Sequence, residues 1–336
     1  MKSTVTVLAF AVCISFPLHA AEYKVNARYP IAGTEGWDYI TVDSSARRLY
    51  VSHAVRVNVL NADTGAAIGT IEDTPGVHGI AIAGHDKHGF TSNGKENKVS
   101  MFDTTTLAVI KKIEVGKGPD GIYYDKASNR VFTNNHGSHD ITAIDGASGD
   151  VVGTVAVNGN GEGAVTGEDG LVYVALEDKD EIAVFDPKSL EVKRHIPLEN
   201  IKSPTGLAAD VKNNRLFVGG HNKTLAIIDA ASGNQIAQFV TGSGTDAAGF
   251  DPSSRRIFVS NGEGNLSVVQ QKTANDYELM PPVETQASAK TMAFDKKTGQ
   301  VFLPAANVTN TPAKEPGAKP VKTIQEGSFC ILVVGK

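Results

Sequence analysis

The stretch NRVFTNNHGSHDITAIDGASG, residues 129–149, decides the fold because its pattern returns along most of the chain. It runs from an apolar segment through a polar turn into a second apolar segment that ends in Asp145, and then into a Gly- and Ser-rich turn. Repetition of one unit at about 40 residues per copy indicates a repeat architecture. The other copies are RRLYVSHAVRVNVLNADTG (47–65), HGFTSNGKENKVSMFDTTT (88–106), LVYVALEDKDEIAVFDPKS (171–189), NRLFVGGHNKTLAIIDAASG (214–233) and RRIFVSNGEGNLSVV (255–269).

Each copy offers four short strands separated by turn-forming residues. Around the quoted stretch these are GIYYD (121–125), RVFTN (130–134), DITAID (140–145) and DVVGTVAV (150–157). Four antiparallel strands per repeat are typical of a propeller blade. Since no window has convincing helical spacing, we predict an all-β chain that forms a seven-bladed β-propeller of four-stranded antiparallel blades.

The last blade needs a strand from the other end of the domain. A seventh copy, GQVFLPAA (299–306), is separated from its partner FCILVVG (329–335) by a long insertion, which leaves this blade with three strands. We therefore expect YKVNARYPI (23–31) to pair with the C-terminal strand. This pairing would close the ring and remove both exposed sheet edges.

The repeat resembles the YVTN family of seven-bladed β-propellers, whose blades carry a Tyr-Val-Thr-Asn run, a polar turn and a strand ending in Val-Ile-Asp. FTNNHGSHDITAID (132–145) and FTSNGKENKVSMFD (90–103) fit that pattern, and the resemblance covers residues 22–336. It implies the propeller fold and an exported bacterial protein. It leaves function open, because such propellers serve as surface proteins, binding modules and, in related families, enzymes.

The first 21 residues have the composition of a secretory signal peptide. Lys2 precedes an apolar run, residues 5–18, and small residues follow at Ala20 and Ala21. We therefore expect residues 1–21 to be removed, residues 22–336 to form one propeller domain, and the protein to be periplasmic or secreted. Cys330 is then the one remaining cysteine, so an intramolecular disulfide is excluded.

Charge and hydropathy restrict the partners. The chain has 32 Lys and Arg against 37 Asp and Glu, a net charge of −5, which argues against nucleic acid. Beyond the first 21 residues, no apolar run approaches the ~18 residues of a membrane span. We expect a monomer that binds a small molecule or a protein.

Many of the acidic residues have a structural explanation, because they recur in register. One group follows the inner strands and a second group ends the third strands; such acids usually form turns by accepting bonds from their own backbone. We interpret Asn93, Asn134 and Asn261 in the same way, as the family's asparagine position. The acids of the two groups are Asp43, Asp125, Asp210, Asp251 and Asp295, and Asp103, Asp145, Asp186 and Asp229.

The residues immediately before the inner strands do not fit the repeat consensus. Inner strands line the central channel of a propeller, so these side chains should surround one mouth of the channel. We call this set the mouth ring. It consists of Asp38, His78, Asp120, Glu162, Thr205, Asp246 and Lys290.

Loops between the second and third strands open on the same face, which we call the channel-mouth face. They add further titratable side chains, and clusters of convergent titratable groups are typical of binding sites. These loop residues are His53, His136, His139, Glu177, Asp178, His221 and Glu263.

Two further features are expected on the channel-mouth face. Trp37, the only tryptophan, could stack on a ligand or pack between the first and last blades. The insertion, residues 304–328, contains NTPAKEPGAKP and is too rich in Pro and Lys for a strand, so we expect a lid or a disordered strap.

Three classes of function fit these observations. We expect a binding module that holds a small ligand, an ion or a partner at the channel-mouth face. The alternative is a metal-dependent hydrolase or lyase of the lactonase type, with a divalent ion on His78, Asp120, Glu162 and Asp246 that activates water or a carbonyl. The third class is a structural surface protein. Motifs that would favour an enzyme, such as His-Glu-x-x-His, a nucleophile elbow or a phosphate loop, do not occur in the sequence.

Overall fold

The computed structural model describes residues 23–84, 87–311 and 321–336; the expected signal peptide, residues 1–21, lies outside these ranges. The described residues form seven antiparallel blades, which confirms the predicted fold. Their one helical segment is a short 3-10 turn, Val211–Asn213. In this part of the chain no helix combines the length and the hydropathy that crossing a membrane requires.

The first six blades follow one another along the chain, each from the inner to the outer strand. Blade 6 is irregular, because two short segments pair with its long third strand at the outer edge. The strands are Ile40–Asp43, Arg48–His53, Arg56–Asn61 and Ala67–Ile71 in blade 1; Val77–Ala83, His88–Asn93, Lys98–Asp103 and Val109–Glu114 in blade 2; Pro119–Asp125, Arg130–Asn135, Asp140–Asp145 and Val151–Val155 in blade 3; Gly161–Thr166, Val172–Leu176, Glu181–Phe185 and Val192–Pro197 in blade 4; Pro204–Asp210, Arg215–Gly220, Thr224–Asp229 and Gln235–Val240 in blade 5; and Thr245–Asp251, Arg256–Asn261, Asn265–Thr273, Asp276–Leu279 and Val283–Glu284 in blade 6.

Blade 7 is built from both ends of the domain, as the sequence predicted. Its strands, from the channel outward, are Ala293–Phe294, Val301–Ala305, Cys330–Gly335 and Lys24–Pro30. The N-terminal strand pairs antiparallel with the C-terminal one, from Lys24 opposite Gly335 to Pro30 opposite Cys330. The ring is therefore closed by hydrogen bonds between residues far apart in sequence.

The core lies between neighbouring blades. In Arg130–Asn135 every residue after the first is buried, since each second strand is covered by a blade on both sides. Phe132 of blade 3, for example, packs edge to face on Phe185 of blade 4 with ring centroids 5.1 Å apart. Burial of aromatic and branched side chains between blades supplies the hydrophobic stabilisation of this disulfide-free domain.

The recurring acids form turns, as predicted, on the face opposite the channel mouth. Asp103 Oδ1 accepts bonds from the backbone N–H of Thr105 and Thr106, at 2.8 and 2.7 Å. Asp43 Oδ1 accepts from the N–H of Ser45 and Ala46, both at 2.9 Å. These acids satisfy backbone donors that the strands leave unpaired.

The prediction for the asparagine position was wrong by one residue in blade 3. Asn135, not Asn134, ends the second strand where Asn93 and Asn261 end theirs. The side-chain amide of Asn135 donates to Thr142 Oγ1 at 2.9 Å, as Asn93 donates to Ser100 Oγ at 2.7 Å. The adjacent pair Asn134-Asn135 makes either alignment possible from sequence alone.

The insertion in blade 7 also differs from the prediction. Pro304 belongs to the buried strand Val301–Ala305, and a hairpin of Val308–Thr311 and Val321–Ile324 then projects from the blade. The Pro and Lys residues that argued against strands are concentrated in residues 312–320, which lie outside the described part. The flanking Val and Thr residues favour strand conformation.

Candidate functional site

The mouth ring is assembled by the close approach of neighbouring inner strands. In four blades a glycine directly follows the ring residue, at Gly79, Gly121, Gly163 and Gly206. A Cβ on Gly163 would lie 2.6 Å from the carbonyl oxygen of Thr205, and one on Gly206 would lie 2.8 Å from the carbonyl carbon of Ala247. Glycine therefore lets the blades converge and brings their ring side chains together.

Second-strand side chains fix the backbone of these ring residues. The side-chain amide of Asn134 donates to the carbonyl of Glu162 at 2.8 Å. The equivalent Ser92 and Ser260 hydroxyls donate to the carbonyls of Asp120 and Lys290. Blades 2, 3 and 6 thus hold the ring residue of the next blade, which explains the polar side chain that each of them has at this position of its second strand.

The ring side chains form a continuous row of contacts. Asp38 Oδ2 lies 2.8 Å from His78 Nδ1, which lies 3.6 Å from Asp120 Oδ2. His136 continues the row, with Nδ1 3.8 Å from Asp120 Oδ2 and Nε2 3.4 Å from Glu162 Oε1. Of the predicted loop histidines, His136 is the one that joins this row.

The other side of the ring is held by Lys290. Its ammonium lies 3.2 Å from Asp38 Oδ1 and also donates to Asp246 Oδ2. Thr205 turns away from the row, because its hydroxyl donates to the carbonyl of Thr245 at 3.0 Å. Lys290 therefore neutralises one side of the ring, whereas on the side from His78 to Glu162 the carboxylates face the imidazoles of His78 and His136.

Tyr39 is a site residue that the sequence reasoning missed. It follows Asp38 at the position where four other blades have glycine, and its hydroxyl donates to Glu162 Oε2 at 2.6 Å. Burial raises the pKa of Tyr39 well above its usual range, and the nearby carboxylates raise it further. A tyrosine among recurring glycines was the signal in the sequence that could have identified it.

Burial shifts the pKa values of three ring acids upward, those of Asp120, Glu162 and Asp246, and repulsion between carboxylates adds to the shift. Burial raises the pKa of Glu162 well above its usual range, and the charge of Asp120 adds to this effect. Burial also raises the pKa of Asp120 and of Asp246, more than the facing His78 and Lys290 lower them.

Asp38 and His78 form an ion pair within this acidic environment. Burial opposes ionisation of Asp38, but hydrogen bonds and charge from His78 and Lys290 outweigh it and lower the pKa. Burial likewise disfavours charged His78, yet the bond to Asp38 outweighs burial and raises the pKa of the imidazole. A proton between these two side chains is thus strongly held.

Two groups of side chains could each hold a metal ion. Donor atoms of Asp38, His78 and Asp120 lie within 4.8 Å of one another, and so do those of Asp120, His136 and Glu162. The predicted metal set included Asp246, which joins neither group because Lys290 occupies its carboxylate. The predicted set lacked Asp38, which the structure places beside His78, and His136, which it places beside Glu162.

The remaining predicted histidines do not reach the ring row. His53 is fully buried; its Nδ1 lies 2.8 Å from Asn58 Oδ1 and its ring packs on Phe329, with centroids 4.9 Å apart. His139 pairs with Asn160 at 2.8 Å, and His221 lies 3.7 Å from Glu177. His53 therefore belongs to the packing of blades 1 and 7, a role that its place at a strand end did not indicate.

Trp37 packs between the first and last blades. Its indole stacks on Phe329 with centroids 4.8 Å apart, which is one of the two predicted roles. It also lines a cavity of about 690 Å³ beside the ring, together with Lys290, Val308 and Ile324 of the hairpin. A smaller cavity of about 170 Å³ lies in the central channel, lined by Tyr39 and Glu162 among others.

Comparisons with known proteins agree with this architecture. A family model described as "Domain of unknown function (DUF5074)" matches residues 48–263. Among the curated proteins searched, none matches the chain.

Solved structures of similar fold have low sequence identity. A chain of "Crystal Structure of Mitotic Checkpoint Complex" is 15% identical with a TM-score of 0.75, covering 96% of this chain and 99% of that one. A chain of "Kuenenia stuttgartiensis Hydrazine Synthase" is 15% identical with a TM-score of 0.67, covering 85% of this chain and 95% of that one. A chain of "Crystal structure of RRP9 WD40 repeats" is 9% identical with a TM-score of 0.75, covering 94% of this chain and 100% of that one. At such identities the similarity shows the propeller fold alone.

Proposed function

This chain belongs to the family described as "Domain of unknown function (DUF5074)", and we propose that it is a binding module whose channel-mouth face holds a small cationic ligand. The observation that carries the proposal is the row His78, Asp120, His136 and Glu162, in which partly buried acids face one another across imidazoles. Propellers commonly bind their partners at such a mouth, where side chains from several blades converge.

Charge favours a cation over an anion. Four carboxylates, those of Asp38, Asp120, Glu162 and Asp246, meet one ammonium, that of Lys290, and two imidazoles, those of His78 and His136. Burial is the main cause of the raised pKa values of Asp120 and Glu162, and a bound cation would offset both that burial and the repulsion between the two carboxylates. The ligand class is therefore a metal ion or a small amine.

The YVTN-like repeat and the apolar leader support a place for this module outside the cytoplasm. FTNNHGSHDITAID (132–145) carries the repeat pattern, and residues 1–21 carry the export pattern. The module would be a periplasmic or secreted protein of the YVTN type, with residues 22–336 as its single domain.

A metal-dependent hydrolase or lyase of the lactonase type is the second candidate. One observation favours it, because a cavity of about 520 Å³ lined by Trp37, Asp38 and His78 could accommodate an organic substrate next to a metal on the ring. An Asp120-dependent hydrolysis of simple lactones in the presence of a divalent metal would establish this activity. If the protein binds metal but does not hydrolyse lactones, the binding module is the supported function.

Thermal shift experiments test the proposed function. The full exported chain would be melted with divalent chloride salts and with spermidine, alongside Asp120→Asn and His195→Asn. His195 is a matched control, because it pairs with Glu181 at 2.8 Å on the outer part of blade 4. We expect stabilisation of the parent and of His195→Asn that is lost in Asp120→Asn. Equal stabilisation of all three proteins would contradict a ligand site at the mouth ring.

A further inference from the structure

We propose that the mouth ring holds two divalent transition-metal ions that share Asp120 as a bridging ligand. One ion would be held by Asp38, His78 and Asp120, and the other by Asp120, His136 and Glu162. This inference rests on the proposed function and specifies its ligand.

The orientation of His136 supports the second position. Its Nε2 lies 2.9 Å from the carbonyl oxygen of Gly161, an acceptor, so this nitrogen carries the hydrogen. In the neutral imidazole, Nδ1 then presents a lone pair toward Asp120 Oδ2 at 3.8 Å. A metal ion or a proton between these two electron-rich atoms would remove the repulsion between them. Histidine ligands of metals are commonly held in this way, with the other ring nitrogen donating to a backbone carbonyl.

The surroundings of His78 support the first position. Its Nδ1 lies between two carboxylates, 2.8 Å from Asp38 Oδ2 and 3.6 Å from Asp120 Oδ2. A proton on Nδ1 satisfies Asp38 in the metal-free protein. A divalent ion in place of that proton would satisfy both carboxylates at once.

Spacing between the donor atoms fits a small ion. With bonds of about 2.0–2.1 Å, the ligands of a four-coordinate ion lie roughly 3.4 Å apart. The distances of 3.6 and 3.8 Å from Asp120 Oδ2 to the two histidines are close to this value. Rotation of the Asp120 carboxylate could present one oxygen to each ion, as in two-metal sites with ions about 3.5–4 Å apart.

The ligand types specify the class of metal. Each set combines one imidazole with two carboxylates, which suits zinc, manganese, iron or cobalt. Calcium and magnesium prefer oxygen ligands throughout. The His78 side chain is 36% exposed, so the site is open to solvent and additional ligands could reach the ions.

Metal stoichiometry of single variants tests the pair. Chelator-treated protein would be dialysed against zinc and, separately, manganese, and bound metal would be counted by mass spectrometry per folded chain. We expect two ions in the parent, one in His78→Asn, one in His136→Asn, and none in Asp120→Asn at the same free metal concentration. His195→Asn should keep two ions. Circular dichroism would confirm that each counted protein is folded.

Two results would overturn the inference. The first is a parent protein that binds one ion or none, and the second is a histidine variant that loses both ions or neither. If no metal binds while spermidine still stabilises the parent and not Asp120→Asn, the inference is wrong and the proposed function stands. If neither metal binding nor stabilisation by spermidine depends on Asp120, both the inference and the proposed function are wrong.

Discussion

The two faces of the propeller use the same residue type in opposite ways. On the face opposite the channel mouth, aspartates accept backbone N–H bonds, and those bonds lower the pKa of Asp103 and Asp229. On the channel-mouth face, burial raises the pKa of Asp120 and Glu162, and the charge of Asp120 raises that of Glu162 further. An acid that stabilises the fold on one face thus costs stability on the other, which is typical of a site kept for function.

The largest expected effect concerns ring closure, on which both faces depend. A chain starting at Gly33 lacks the strand Lys24–Pro30 and leaves Cys330–Gly335 as an exposed edge. We expect it to aggregate or to unfold well below the melting temperature of a chain starting at residue 22. A monomeric truncated protein with unchanged heat stability would contradict the closure of blade 7.

The next effect is the loss of a turn acid from the opposite face. The buried Asp295 carboxylate accepts from Arg47 at 2.7 Å and from Thr298 at 2.6 Å. We expect Asp295→Asn to lower the free energy of unfolding by about 2 kcal/mol, the usual value of a hydrogen bond to a charged group. Denaturant titration measures this loss. Asp63→Asn is the control, because its half-exposed carboxylate binds the same arginine and should cost under about 1 kcal/mol.

The corresponding change in the mouth ring should act in the opposite direction. Glu162→Gln keeps an acceptor for Tyr39 and removes a buried charge close to Asp120. We expect the free energy of unfolding of the metal-free protein to stay unchanged or to rise by up to about 1 kcal/mol. A loss above about 2 kcal/mol, as in Asp295→Asn, would remove the distinction between the faces.

The pH dependence of the free energy of unfolding should distinguish the acids of the two faces in a single experiment. Turn acids such as Asp103 have lowered pKa values in the folded state. Their contribution to stability is therefore present above the pKa of the unfolded state and is lost as pH falls through the pKa of the folded state. Asp120, Glu162 and Asp246 of the ring have raised pKa values, so these carboxyl groups bind more protons in the folded state and their contribution to stability rises as pH falls from neutral through the raised pKa. The metal-free parent should therefore be most stable at mildly acidic pH, and Glu162→Gln should weaken this rise. A parent curve that falls steadily from pH 7 would contradict the account.

The smallest effect is expected at the hairpin of blade 7. Replacing residues 308–324 by a short Gly-containing turn removes the half-buried Val308 and Ile324 from the edge of the core, so melting should change little. Comparing the melting temperature of this shortened protein with that of the chain starting at Gly33 distinguishes a hairpin that is not needed for folding from the strand that closes the ring. A shortened protein that fails to fold would show that the hairpin is part of the core.

The fold could be predicted from sequence because the repeat recurs in nearly every blade. The mouth ring could be located for the same reason, since repeats place equivalent residues at equivalent heights around the channel. Pairings within the ring could not be predicted. Whether Asp246 faces a histidine or Lys290 depends on side-chain reach across neighbouring blades, and the deep burial of His53 depends on Phe329, which is distant in sequence.

Anomalous X-ray diffraction from crystals of zinc-loaded protein tests the central claim most directly. We expect two anomalous peaks at the mouth ring, one between His78 and Asp120 and one between Asp120 and His136. The exposed pair His195 and Glu181 serves as an internal reference for adventitious zinc. Density only at such surface pairs, with none at the mouth ring, would contradict the claim that the ring is a cation site.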